Sequence, residues 1–144
     1  MAWIKRASAA RHRDWLSNNE RRLQIRERWA EFFEGVGAIL LPVHPRPALV
    51  HDHSMPQFER TVDIDGVERP YLDLWKWIAP AGVGMLPATV VPVGTSADGL
   101  PIGVQVVGPF LHDRTTLQLA RLISEIMADH NRWPAACPRP DLAG

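Results

Sequence analysis

Serine and lysine side chains are the first candidates for chemistry in this chain, because a hydroxyl or an amine attacks a carbonyl once its neighbours activate it. The sequence holds two lysines, Lys5 and Lys76. Its serines are isolated from one another, and none lies in a Gly/Ser-rich stretch: Ser8, Ser17, Ser54, Ser96 and Ser124. Lys76 lies between two tryptophans, but no serine is close to it in sequence. The sequence therefore assigns no catalytic residue.

A histidine-containing loop is the second candidate. His51-Asp52-His53, together with His44, offers side chains of the types that bind zinc. Alternate residues of an extended segment would place His51 and His53 on one side, yet two histidines make only half of a zinc site. A serine–histidine–aspartate triad would need Ser54 and Asp52, and no nucleophile elbow supports it. We interpret these histidines as structural or surface residues with no metal, and a small metalloprotein is the weaker alternative.

Charge and composition limit the classes of partner. Sixteen lysines and arginines balance sixteen aspartates and glutamates, so no net field draws the chain toward nucleic acid or anionic lipid. No apolar run approaches the ~18 residues of a membrane span. The single cysteine, Cys137, cannot form an internal disulfide, which fits a reducing cytoplasm. We predict a cytoplasmic protein that binds neither nucleic acid nor membrane.

Helices that would position a site are predicted by apolar residues at helical spacing. The first covers 18–34, is followed by glycines, and has this apolar stripe: Ile25, Trp29, Phe32, Phe33 and Val36. A shorter helix is predicted over 3–16, and another over 71–78 that ends before Pro80. The last covers 113–129 with Asp113 as its N-cap, and its core stripe comprises Leu119, Leu122, Ile123, Ile126 and Met127.

Strand patterns complete the predicted architecture. The all-apolar run 38–41 predicts a strand buried on both faces. The β-branched runs 88–93 and 102–107 predict an antiparallel pair joined by a long loop, and Asp65-Gly66 predicts a hairpin turn. We predict the α/β class, with a small mixed β-sheet packed with helices. The whole chain, 1–144, would be one segment: a helical arm 1–34, a core 35–130 and a Pro-rich tail 131–144.

Glycines and prolines in two neighbouring stretches carry a family resemblance. The stretches are Gly84-Met85-Leu86-Pro87-Ala88-Thr89-Val90-Val91-Pro92-Val93-Gly94 and Asp98-Gly99-Leu100-Pro101-Ile102-Gly103-Val104-Gln105-Val106-Val107-Gly108-Pro109. They resemble the C-terminal signature of the amidase signature hydrolases, loosely Gly-x-Pro-Ala-x-x-x-Pro-x-Gly followed by Gly-Leu-Pro-x-Gly-x-Gln-x-x-Gly. Within them, Gly103 suggests close approach by another backbone, and Gln105 would need a hydrogen-bond partner if it is buried.

The resemblance implies a C-terminal piece of a hydrolase that converts carboxylic amides to acid and ammonia or amine without a cofactor. Enzymes of this family use two serines and a lysine, and the resemblance places all three upstream of the matched region. The isolated chain is therefore expected to be inactive, with the missing N-terminal amidase region as its partner and a small amide as the substrate of the complete enzyme. The alternative is a stand-alone binding or assembly module that kept the amidase scaffold and lost the catalysis.

The apolar segment before the first signature strand is the predicted pocket wall. The resemblance implies that this neighbourhood lines the acyl side of the substrate pocket, and the candidate substrate-binding residues are Trp77, Ile78, Met85 and Leu86. Packing in the core is the competing interpretation for each of them. Because the family's sheet continues into strands outside this chain, an uncovered strand edge would remain, and we expect a homo-oligomer.

Overall fold

A computed structural model of the chain describes residues 7–127 and confirms the predicted α/β class. Lys5, Cys137, the end of the last predicted helix and the tail 131–144 lie outside these residues. The helices are α1 (His12–Phe33), α2 (Ala79–Gly84) and α3 (Asp113–Ile126), and 3-10 turns cover Gln57–Glu59 and Tyr71–Trp75. The strands are β1 (Ile39–Pro42), β2 (Thr61–Ile64), β3 (Val67–Pro70), β4 (Ala88–Thr95) and β5 (Pro101–Val107).

The larger sheet has the strand order β1-β5-β4. The predicted antiparallel pair is confirmed, since β4 and β5 pair antiparallel along their length, with an irregularity between Pro92 and Gly94. The β1 strand also pairs with β5 antiparallel, so the ladders of this sheet are antiparallel rather than mixed. Val106 and Val107 of the central strand are both fully buried. Successive side chains of a strand point to opposite faces, so protein covers the sheet on both sides here.

Helix α3 covers one face of the sheet. Its buried residues are Thr116 and Ala120, and Ala120 packs with Val91 and Val106. The predicted stripe is correct for Leu119 and Ile123, which pack against this cluster. It is wrong for Leu122 and Ile126, which are exposed. The helix turns its small side chains toward the sheet, and this allows the two backbones to approach closely.

The other face is covered by α1 and α2. Phe33, Ala81, Leu86 and Val107 form a buried cluster there, and the half-buried residues packed against it are Trp29, Ile39 and Leu41. Trp29 also stacks on Phe33, with ring centroids 5.7 Å apart. The aromatic end of α1 therefore closes this part of the core, whereas Ile25, Phe32 and Val36 of the predicted stripe are exposed.

The prediction that the strand at 38–41 is buried on both faces is wrong. The β1 strand alternates between half-buried and exposed side chains, and Leu40 remains 57% exposed. It lies at the sheet's edge and pairs on one side with β5, with Leu40 opposite Val106. An edge position explains the exposure, because no described strand lies beyond it.

Helix ends differ from the prediction in three places. Helix α1 begins at His12, because the Asp14 carboxylate accepts a hydrogen bond from the Arg11 backbone N–H at 3.2 Å and caps the first turn. Asp113 is the first residue of α3 and not its N-cap, since His112 occupies that position and makes no side-chain cap. Helix α2 was not predicted: it begins at Ala79, and Pro80 lies in its first turn rather than ending a preceding helix.

The predicted hairpin is confirmed. The β2 and β3 strands pair antiparallel, with Ile64 opposite Val67. Asp65 and Gly66 both have positive φ, 53° and 78°, as a two-residue hairpin turn requires. The Asp63 carboxylate accepts a hydrogen bond from the Gly66 N–H at 3.2 Å, which fixes the turn. The hairpin packs beside the loop 43–53 and forms one wall of the cleft described below.

Candidate functional site

The predicted pocket wall surrounds helix α2. Trp77, Ile78 and Met85 are exposed, while Leu86 is buried between α1 and the sheet. Trp77 and Ile78 lie just before the helix, and Met85 follows it in the left-handed conformation at φ 53°. The structure thus places three of the four residues at the surface around one short helix, and the fourth beneath it.

Gln105 fixes the start of this segment. Its side chain is 2% exposed, and its Nε2 donates hydrogen bonds of 2.7 Å to the carbonyl oxygens of Trp77 and Pro42. The predicted need of Gln105 for a partner is therefore confirmed, with both protons of the amide used. These bonds tie the end of β1 and the segment before α2 to the central strand.

Leu86 and Gly84 fix the other end of the segment. Leu86 packs with Phe33, Ala81 and Val107. A Cβ atom at Gly84 would lie 2.9 Å from Leu86 Cγ and 3.2 Å from Trp29 Cδ1, so glycine is needed where α2 meets α1. The end of α2 is therefore packed tightly against the core, and Met85 projects outward from it.

A second candidate site is an open cleft of about 1070 Å³ that the sequence did not predict. Its floor is the sheet surface around Val90 and Gly103. A Cβ at Gly103 would lie 3.2 Å from both Val90 Cγ1 and the Val91 carbonyl oxygen, which confirms the predicted close approach at this glycine. The walls are the loop 43–53 and residues 60–63. None of the predicted wall residues around α2 lines this cleft.

Asp52 and Arg60 are two charged residues of the cleft, and each makes hydrogen bonds within the protein. Asp52 accepts hydrogen bonds from the Ser54 hydroxyl at 2.6 Å and the Ser54 N–H at 2.9 Å, and these lower the pKa of its carboxyl, with smaller contributions from Arg60 and His53. Arg60 donates from Nε to the Met55 carbonyl at 2.7 Å and lies 5.8 Å from the centre of the Tyr71 ring. Its positive charge therefore faces the cleft near Asp52.

The described serines and Lys76 do not form a catalytic set. Lys76 Nζ is 2.8 Å from Asp73 Oδ2, so its polar partner is a carboxylate and not a hydroxyl. The Ser54 hydroxyl donates to Asp52 directly, without the intervening imidazole that a serine–histidine–aspartate triad requires. The Ser96 hydroxyl accepts from the Leu100 N–H at 3.1 Å and stabilises the β4–β5 turn.

The loop histidines contact each other and the backbone. The rings of His51 and His53 meet edge to face with centroids 6.0 Å apart, and His44 Nδ1 lies 2.9 Å from the Arg46 carbonyl oxygen. Within residues 7–127, no group of three His, Cys, Asp or Glu side chains could hold a metal ion. Over the same residues, no helix is long and apolar enough to cross a membrane.

Comparisons with known proteins place the whole arrangement in a family. The family model described as Amidase matches residues 1–117. A glutamyl-tRNA(Gln) amidotransferase subunit of Gluconobacter oxydans is 29% identical over 77% of this chain and 20% of its own length. The fatty acid amide hydrolase of Medicago truncatula is 30% identical over 78% of the chain and 18% of its own length. The chain thus spans about a fifth of the length of the curated relatives it matches.

Solved structures agree on the fold. A crystal structure of an amidase superimposes with a TM-score of 0.67 at 24% identity, over 83% of this chain and 26% of that one. A 6-aminohexanoate cyclic dimer hydrolase superimposes with a TM-score of 0.64 at 24% identity, over 92% and 28%. The signature stretches 84–94 and 98–109, which carry the resemblance in sequence, form β4, β5 and their flanking turns in this fold. The chain belongs to the amidase family.

Proposed function

We propose that this chain is the C-terminal structural and substrate-pocket segment of an amidase that hydrolyses carboxylic amides to acid and ammonia or amine. The observation that carries the proposal is the anchored apolar surface around α2. Trp77, Ile78 and Met85 are exposed, although the backbone beneath them is fixed by Gln105 and Leu86. Large apolar side chains on a fixed backbone provide a preformed wall for the acyl group of a substrate.

The catalytic serine–serine–lysine set would come from the missing N-terminal amidase region, which is the proposed partner. Ser54, Ser96 and Lys76 each have another hydrogen-bond partner, which supports this division of roles. We expect the purified 144-residue chain to release no ammonia from aliphatic or aromatic amides above background. Ammonia release that persists through purification and is abolished by Ser54→Ala would contradict the proposal.

The pocket role is tested in a complete enzyme. This chain replaces the matching C-terminal segment of an amidase, and kcat/KM is measured for amides with small and bulky acyl groups. If Trp77 lines the pocket, Trp77→Ala shifts the relative kcat/KM between the two classes by ~1–3 kcal/mol. Trp15→Ala is the matched control, because Trp15 is an exposed tryptophan on α1.

Two outcomes of this test contradict the pocket role. One is a uniform loss of kcat/KM for all substrates that follows a lowered melting temperature, as expected if Trp77 only packs. The other is a chimaera that folds with no activity even when the upstream region carries the two serines and the lysine, which would favour the stand-alone binding module.

A cytoplasmic location and the absence of a cofactor remain part of the proposal.

A further inference from the structure

The carbonyl of Trp77 lies between two short helical elements. The preceding 3-10 turn closes with the Lys76 N–H on the Asp73 carbonyl at 3.3 Å, and the helical bonding of α2 begins at the next carbonyl, that of Ile78. The Trp77 carbonyl between them accepts a hydrogen bond from Gln105 Nε2 at 2.7 Å. The central strand therefore supplies the hydrogen bond at this junction.

Holding this carbonyl restricts the direction of two exposed side chains. A peptide unit is planar, so the orientation of the carbonyl also restricts ψ of Trp77 and φ of Ile78. Those two angles determine how each Cα–Cβ bond is directed relative to the peptide plane. Trp77 and Ile78 are 41% and 44% exposed, so a hydrogen bond made beneath the surface orients the apolar groups above it.

Gln105 is held firmly and is almost inaccessible to a ligand. It is 2% exposed, and its backbone pairs with Leu41 on one side and with Val90 on the other. Its side chain lies on the same face of the strand as Val107, which is fully buried beneath α1 and α2. Any effect of Gln105 on a substrate therefore passes through the two segments that it bonds, and Trp77 lies in the one that forms the proposed wall.

We propose that Gln105 is a positioning residue that sets the acyl selectivity of the complete amidase through the Trp77 carbonyl. This role rests on the function proposed for the α2 wall. With the hydrogen bond in place, Trp77 presents its indole on a fixed backbone, and a bulky acyl group meets it without first having to order it. Without the bond, more orientations are open to the junction, and a bulky acyl group loses a contact that a small one never makes.

The test uses the chimaeric amidase described above and the ratio of kcat/KM for a bulky acyl amide to that for a small one. Gln105→Met keeps the length of the side chain and removes both donated protons. We expect this ratio to fall about tenfold or more, because a small misplacement of a positioning group costs up to about 100-fold in rate. In the Trp77→Ala background, the same change should alter the ratio less than about twofold, because the indole is already absent. Gln118→Met, at an exposed position of α3, is the control.

The outcomes separate this role from the proposed function and from simple stability. If Trp77→Ala shifts the ratio and Gln105→Met does not, the positioning role is refuted and the α2 wall stands; if neither shifts it, both are refuted. A loss shared equally by both amides, and equally large in the Trp77→Ala background, would refute the role by showing that Gln105 only stabilises the fold.

A second variant decides if Gln105→Met fails to fold. Replacing Ile78 by its α-hydroxy acid turns the Trp77 carbonyl into an ester, which is a weaker acceptor, and leaves Gln105 and Pro42 unchanged. We expect the ratio to fall here as well, in the same direction as in Gln105→Met. An unchanged ratio in this ester variant would overturn the proposal.

Discussion

Gln105 Nε2 lies 2.7 Å from the carbonyl oxygen of Trp77, and this hydrogen bond connects the central strand to the start of the proposed pocket wall. The same nitrogen donates to Pro42, so one buried amide joins β5, β1 and the segment before α2. A residue of the signature stretch therefore has a structural role that acts directly on the surface proposed to meet substrate.

Replacing Gln105 tests this connection. Gln105→Leu leaves the carbonyl oxygens of Pro42 and Trp77 without their donor, and an orphaned group that water cannot reach costs ~1–3 kcal/mol. We expect the midpoint of urea unfolding to fall with little change in the m-value. Gln118→Leu, at an exposed position of α3, is the control and should have little effect. A Gln105→Leu variant as stable as the wild type would show that these bonds contribute nothing net.

Gly108→Ala tests the packing of α3 against the turn after β5. The added Cβ would lie 2.7 Å from Thr116 Cγ2, and Thr116 is held by hydrogen bonds to Thr89 and to the Asp113 carbonyl. We expect a loss of ~1–3 kcal/mol in the free energy of unfolding. Thr116→Ser removes only the methyl group, so the double variant should lose less than the sum of the single losses. Gly37→Ala, which would meet nothing within 4 Å, is the control.

The pKa of Asp52 is predicted to depend on Ser54. The two hydrogen bonds from Ser54 hold the pKa of the Asp52 carboxyl below its ordinary value of 3.8. The folded-state pKa is therefore lower than that of the unfolded chain, so Asp52 stabilises the fold above the unfolded value and loses this contribution as the pH falls through the folded value. Ser54→Ala removes the larger cause, and a carboxyl ¹³C titration should show a raised pKa. Ser96→Ala should leave the Asp52 titration unchanged.

Self-association through the edge of β1 is the fourth prediction. Leu40 is 57% exposed on a strand that, within residues 7–127, pairs on one side only, and an unpaired apolar edge favours pairing with a second copy. Light scattering over a range of concentrations should show a dimer that Leu40→Lys shifts to monomer. Leu117→Lys is the matched control, because Leu117 is 58% exposed on α3. A wild-type chain that stays monomeric at every concentration would contradict this prediction.

Local signals in the sequence predicted local features well. The Asp65-Gly66 turn requires positive φ at both residues, which few other pairs accept, so the hairpin was predicted correctly. Gln105 in an apolar strand had to find partners if buried, and it did. Pro80 was misread, because a proline is as well suited to the first turn of a helix as to the segment that follows one.

Features that depend on tertiary packing were harder to predict. Periodicity placed an apolar stripe on α3, but the sheet contacts the neighbouring face with Thr116 and Ala120, and the larger Leu122 and Ile126 are left exposed. The cleft could not be predicted, because it combines loop residues near 46, residues near 60 and the strand floor at Gly103. No short stretch of sequence contains enough of it to produce a signal.

The central position of β5 also has a consequence for synthesis on the ribosome. Both neighbours of β5 precede it in the chain, and Ile39 pairs with Val107. While the chain is being made, β1 therefore has no described strand partner until residues 101–107 emerge from the exit tunnel. Contacts between residues so distant in sequence form slowly, and an apolar strand waiting for its partner is a natural target for chaperones. In this molecule the order of translation delays the larger sheet until its last strand arrives.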